Sequence, residues 1–172
     1  MKHNNDVKSF PELLWDQDDI RDRFSKALFD NEMCLSFAFK PLMMPGLPVE
    51  MQLQLSSLEY ELKLFYLLTA SMKKLCNSDT VVTAVDIQLA EVGVETVYYH
   101  HSEIIHDIQE FRRDVMLKRC LSGANLAKVK QYCEENINAA TDMLKMSVKL
   151  VERYGNIFSS VPKYHYYEEE ES

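Results

Sequence analysis

Glycine and proline are scarce in this chain of 172 residues, at 4 and 5 copies. Three of the prolines (Pro41, Pro45, Pro48) fall in one short stretch. So few breakers permit long uninterrupted elements, and four glycines leave little material for a phosphate-binding loop or a nucleophile turn. The four cysteines, Cys34, Cys76, Cys120 and Cys133, show no CxxC or other metal spacing. They read as reduced thiols acting as small apolar core residues. The longest apolar run, Leu64-Phe65-Tyr66-Leu67-Leu68, is far short of the ~20 residues that cross a bilayer, so no integral membrane segment is expected. The opening Met-Lys-His-Asn-Asn-Asp lacks the apolar stretch of an export signal. An intracellular location, cytoplasmic or nuclear rather than secreted, is the expectation.

A basic excess is also missing. Against 19 Lys and Arg stand 27 Asp and Glu, for a net charge of −8. Setting aside the terminal Glu168–Glu171 takes it only to −4. This argues against nucleic acid or an anionic membrane surface as the main partner, since both recruit Lys and Arg.

What is present is the composition of an ordinary globular domain, 47% hydrophobic and 27% charged. The length suits one domain. Residues 1–162 are expected to form it, with 163–172, the tyrosines of Lys163–Tyr167 and the glutamates after them, as a disordered acidic tail. Ser9-Phe10-Pro11-Glu12 has capping-box spacing and predicts a short helix through Trp15. Ile20, Phe24, Ala27, Leu28 and Leu35 predict a helix over Asp18–Phe39, stopped by Pro41. The linker Pro41–Pro48, with Leu42, Met43, Met44 and Leu47, is expected to lie across apolar surface.

A second long helix is predicted over Val49–Cys76, from the heptad series Met51, Leu58, Phe65, Met72 and its companion Leu55, Leu62. Around Leu64–Leu68 it is apolar on all sides, which predicts an enclosed middle. The third, over Thr80–Cys120, opens on β-branched residues. Periodicity nonetheless makes it a helix, with Ile87, Val94, His101, Ile108, Val115 and Ala90, Val97, Ile104, Phe111 on one stripe. Gly93 is a candidate bend. A last helix, over Ala124–Phe158, carries Ile137, Leu144, Val151 and Phe158 beside the small series Cys133, Ala140 and Ser147. The expected architecture is all-α: an elongated up-and-down bundle of three long helices plus a shorter N-terminal one.

One cluster invites chemistry, His100-His101-Ser102-Glu103-Ile104-Ile105-His106. Glu103 and His106 have the E-x-x-H spacing of di-iron bundles, but no second copy exists. Ser102 interrupts the zinc-protease pattern. On a helix Glu103 falls about 130° and His106 about 170° from the centre of the apolar stripe, so the two look outward. No catalytic residue, metal ligand or cofactor is therefore assigned, and the chain is expected not to be an enzyme. His101, on the stripe, is the expected buried polar residue, neutral and hydrogen-bonded.

The third helix is two-faced. Val81, Val85, Val92 and Tyr99 fall nearly opposite the core stripe, with Leu89 beside them, and beyond them that face becomes Glu103, His106, Glu110 and Arg113. At about 60 Å against about 42 Å for the second helix, it is expected to project past its neighbour. Those five residues are accordingly the candidate interface for another helical protein or a second copy. The expected function is a non-enzymatic interaction module, adaptor or subunit of a helical complex. Two alternatives stand: a small-molecule or metal-binding bundle using His100, His101, Glu103 and His106, and a membrane-associated bundle dimer.

Overall fold

The computed structural model describes residues 22, 25–31, 33, 39–77 and 82–158, and their regular structure is helical throughout. Four helices are complete: α1 (Val49–Thr69), α2 (Met72–Cys76), α3 (Ala84–Lys118) and α4 (Gly123–Tyr154). Residues 25–31 are helical too, inside the segment the periodicity assigns to the first helix, and Phe39 is already out of helix ahead of Pro41. The expected helix at Trp15 and the acidic tail lie outside the described residues.

The linker folds onto the bundle because both of its ends are tied. Met44 and Leu47 are buried. The Leu42 amide donates to Glu59 Oε2 at 3.0 Å. The Gln52 side chain donates back to the Leu47 carbonyl at 2.9 Å. Pro48 stands at the N-cap of α1, where its missing N–H would have been unsatisfied in any case.

The single helix expected over Val49–Cys76 is broken at Ala70-Ser71. Thr69 turns its hydroxyl back onto the Phe65 carbonyl at 2.8 Å, and the Ala70 amide reaches only Leu67 O, at 3.4 Å. Hydroxyl back-bonding of this kind loosens a helix turn. Gly93 of α3 faces the break. A Cβ there would meet Met72 Cγ at 2.7 Å and the Leu68 carbonyl oxygen at 2.9 Å. Helix α3 runs through Gly93 without interruption, so the glycine serves close approach rather than a bend.

Helix α3 starts later than the β-branched opening implied. Thr83 and Asp86 form a reciprocal capping box: Asp86 N donates to Thr83 Oγ1 at 3.2 Å, and Thr83 N donates to Asp86 Oδ2 at 2.8 Å. Lys74 of α2 adds an ion pair to Asp86 at 2.9 Å. Burial pushes the Asp86 carboxyl up, but the Thr83 and Lys74 hydrogen bonds outweigh it and hold the group below its ordinary value. This contact sets α2 beside the first turn of α3, so the long helix does not project past its neighbour.

The helices run up, down and up. Glu50 meets Lys118 at 3.3 Å and Gln54 meets Asp114 at 3.1 Å, so α1 and α3 are antiparallel. Glu59 meets Tyr132, Tyr66 meets Asn136 and the Leu75 carbonyl meets Arg153, so α4 runs parallel to α1. On α4 the small series faces inward. Cys133, Ala140 and Ser147 are fully buried, which lets the neighbouring helices come close. Ile137, Leu144 and Val151 are only half-buried, packed on the flanks of the core. Of the described cysteines only Cys133 is core; Cys76 is exposed and Cys120 half-buried, because both sit at helix ends.

Burial along α3 changes midway. Before Tyr99 it includes Val85, Asp86, Leu89, Ala90, Glu91, Gly93, Val94, Val97 and Tyr98, which surround the helix. After it come Ile104, Ile108, Phe111 and Val115 alone, a single stripe.

Candidate functional site

The histidine cluster does not converge. His100 Nδ1 lies 3.8 Å from Glu103 Oε2, and His106 Nε2 lies 3.8 Å from Glu110 Oε2, with His100, Glu103 and His106 largely exposed and Glu110 half-buried. Glu103 and His106 belong to different groups. His106 gathers with Asp107 and Glu110, and Glu103 with Asp107 and with Glu61 from α1. His101 is half-buried rather than buried. Once α3 becomes one-sided, its stripe narrows to Ile104, Ile108, Phe111 and Val115, and His101 stands about 50° from the centre of that stripe.

The carboxylates at the α1–α3 seam have a consequence for stability. Partial burial, the hydrogen bond with Asp107 and the negative charges of Asp107 and Glu103 push Glu61 from 4.5 up to about 7. A carboxyl with a raised value in the folded state stabilises the fold while protonated, and that stability is lost as the pH rises through about 7. The melting temperature is therefore expected to fall as the pH rises from about 4.5 to about 7, and Glu61→Gln should flatten that fall. Equal slopes for the two proteins in a thermal-melt series would contradict the assignment.

The five α3 positions expected to meet a partner are differently placed. Val85 and Leu89 are 7% and 4% exposed within the single chain. Val92 is half-buried and Tyr99 is exposed. Val81 lies outside the described residues.

The larger unpartnered apolar surface is on α1. Val49, Leu53, Tyr60 and Leu64 are 71%, 67%, 73% and 46% exposed. At about 100° per residue they fall within an arc of about 60°, one continuous stripe opposite the buried Met51, Leu55, Leu58, Leu62 and Phe65. The serines Ser56 and Ser57 lie at its middle and are exposed. Leu117, also exposed, adjoins the Lys118 that reaches Glu50. Of the run Leu64–Leu68, expected to be enclosed, Phe65 is buried and Tyr66, Leu67 and Leu68 are half-buried, while Leu64 is exposed. Ahead of Leu64 the helix has one face on the core and a second apolar face in solvent. The spacing of four, seven and four residues from Val49 to Leu64 carried that signal.

A polar network on the other flank of α1, not foreseen from the sequence, fixes its register against α4. Tyr66 Oη donates to Asn136 Oδ1 at 2.5 Å, and Asn136 Nδ2 donates to the Tyr132 carbonyl at 2.8 Å. Tyr132 Oη donates to Glu59 Oε2 at 3.1 Å, the same oxygen that holds the linker amide. Burial raises both phenols above their ordinary range, so they remain donors. Beside this network opens a cleft of about 540 Å³, walled by Phe39, Tyr66 and Met143, with Lys40 and Lys73 among its lining residues.

Among the described residues no helix is long and apolar enough to cross a membrane. No protein-family model, curated protein or solved structure matches the chain.

Proposed function

We propose that this protein is a non-enzymatic interaction module, an adaptor or a subunit of a helical complex, and that α1 carries its docking surface. The observation behind this reading is the stripe Val49, Leu53, Tyr60 and Leu64, exposed along α1 from its first turn to Leu64. Contiguous apolar surface on a folded domain marks interaction sites more often than scattered single residues do. A tyrosine among aliphatic residues, with charge kept to the edges, is the composition of an interface centre. A helix face of this kind suits a helical partner, which would lay its own apolar stripe along it.

Gel filtration of an extract of the source cell tests the reading. The chain is expected to elute in a species larger than its monomer, and the double variant Leu53→Glu, Tyr60→Glu to elute as the monomer with unchanged helical circular dichroism. Wild-type chain eluting as a monomer would overturn it.

The cleft beside Asn136 supports a second reading, a small-molecule-binding bundle, because its volume falls within the ~300–1,000 Å³ of ligand pockets. Native mass spectrometry of the protein purified from its source would then show a retained ligand mass, lost in Met143→Trp. Absence of such a mass removes this reading and leaves the first untouched.

A further inference from the structure

We propose that the cleft beside Asn136 takes a small amphiphilic anion, an apolar body bearing one carboxylate. The proposal rests on the small-molecule reading above and names the class of its ligand. The space exists where α1 breaks at Ala70-Ser71. Two of the side chains that line it, Ala70 at the break and Ala139 on α4, are single methyl groups. Asn31, also in the lining, is fixed by its hydrogen bond to Ser71 Oγ at 2.8 Å. The walls suit an apolar body. Phe39 and Tyr66 stand with ring centroids 6.2 Å apart and planes tilted by 51°, and Met143 is buried, a side chain that adapts to aromatic or aliphatic groups.

The polar groups of the lining set the sign of the ligand, because those not already used are mostly donors. Lys40 and Lys73 line the cleft and are exposed. Among the described residues neither pairs with a carboxylate, whereas Lys74 holds Asp86 and Lys118 holds Glu50. A third ammonium, that of Lys63, lies 5.4 Å from the centroid of the Phe39 ring. Asn136, buried, accepts from the Tyr66 hydroxyl and donates from Nδ2 to the Tyr132 carbonyl. A side-chain amide carries two N–H donors, so one is left on a residue of the lining. The opposing charge is Glu135, exposed, which accepts from the Gln131 side chain at 2.9 Å. Two ammoniums thus stand against one carboxylate, in a chain whose net charge is −8. A cationic ligand would meet Glu135 alone and be repelled by both lysines. A neutral apolar ligand would leave the donors as they are. A carboxylate on an apolar body uses both parts of the cleft, accepting charge-assisted hydrogen bonds at its head.

Three probes of matched shape test the assignment: 4-phenylbutanoate, 4-phenylbutan-1-ol and 4-phenylbutylammonium, each titrated into the purified chain and followed by amide NMR shifts. The acid should shift Ala70, Asn136, Ala139 and Met143 and bind about 5–10-fold tighter than the alcohol, the gain expected of two solvent-exposed ammoniums. The ammonium compound should bind more weakly than the alcohol. Added salt should weaken the acid and leave the alcohol unchanged, because exposed charges are screened. Lys40→Gln with Lys73→Gln should bring the acid to the affinity of the alcohol; both positions are exposed, and circular dichroism checks that the fold is kept. Alcohol or ammonium binding at the cleft as tightly as the acid would overturn the anionic class. So would a preference for the acid that survives the double variant, or the absence of any shift at these four residues up to about 5 mM of each probe. A neutral or basic mass retained by the protein from its source, and lost in Met143→Trp, overturns the anionic class alone and leaves the small-molecule reading standing. No retained mass removes that reading, and the proposal with it.

Discussion

Replacing Phe111 by alanine is expected to destabilise the protein by about 3–5 kcal/mol, the range for emptying a fully enclosed aromatic site. Phe111 has no exposed surface and lies in the one-sided half of α3, where only Ile104, Ile108 and Val115 accompany it in the buried stripe. With so few residues there, the neighbours cannot collapse into the space without separating α3 from α1 or α4. For a chain of this length the melting temperature should drop by roughly 6–20 °C, read by circular dichroism against urea and heat. Leu53→Ala on the exposed stripe is the matched control and should move stability by no more than about 0.5 kcal/mol. Similar losses at the two positions would mean that α3 is not packed as described.

Gly93→Ala is expected to destabilise by about 1–3 kcal/mol, although alanine is the better helix former by about 1 kcal/mol. The sign is the diagnostic. On an open helix face the same change stabilises. Here the new methyl group would meet Met72 Cγ at 2.7 Å and, more stubbornly, the Leu68 carbonyl oxygen at 2.9 Å. A side chain can rotate away, but the backbone oxygen moves only if the α1–α2 break is remade. Urea denaturation of the variant measures this directly. An unchanged or raised midpoint would show that the two helices are not in contact at Gly93.

The two-sided opening and one-sided end of α3 were legible in the sequence, because periodicity over 35 residues averages out local exceptions. The inward turn of Met44 and Leu47 was legible too, since apolar side chains between prolines have nowhere better to go. Register was not. Tyr66, Asn136, Tyr132 and Glu59 are spread over 78 positions of a helical bundle, and no local pattern announces that their side chains meet. The break at Ala70-Ser71 was hidden by an unbroken heptad series through Met72, which a kinked helix satisfies as well as a straight one.

Two positions of the candidate surface, Val85 and Leu89, are buried for a related reason, while Val92 is half-buried and Tyr99 exposed. Period and hydrophobicity show that a helix has two apolar faces but not which of them the rest of the chain covers. On α3 the second face is covered at Val85 and Leu89; on α1 it is left open from Val49 to Leu64. The half-burial of His101 follows from the same limit, because the width of a stripe depends on how many neighbours a helix has at each level.

The most direct measurement of the central claim is hydroxyl-radical footprinting of α1 in the assembled state. The chain in its native complex is compared with the folded monomer of the Leu53→Glu, Tyr60→Glu variant and with dilute wild-type monomer. Leu64, and Leu53 and Tyr60 in the wild-type pair, should be oxidised readily in the monomer and protected on assembly, while exposed Met43 and Ile157, off this face, stay reactive in both. Equal oxidation of Leu53, Tyr60 and Leu64 in the complex and in the monomer would contradict the account, because the surface proposed to be covered would still be open to water.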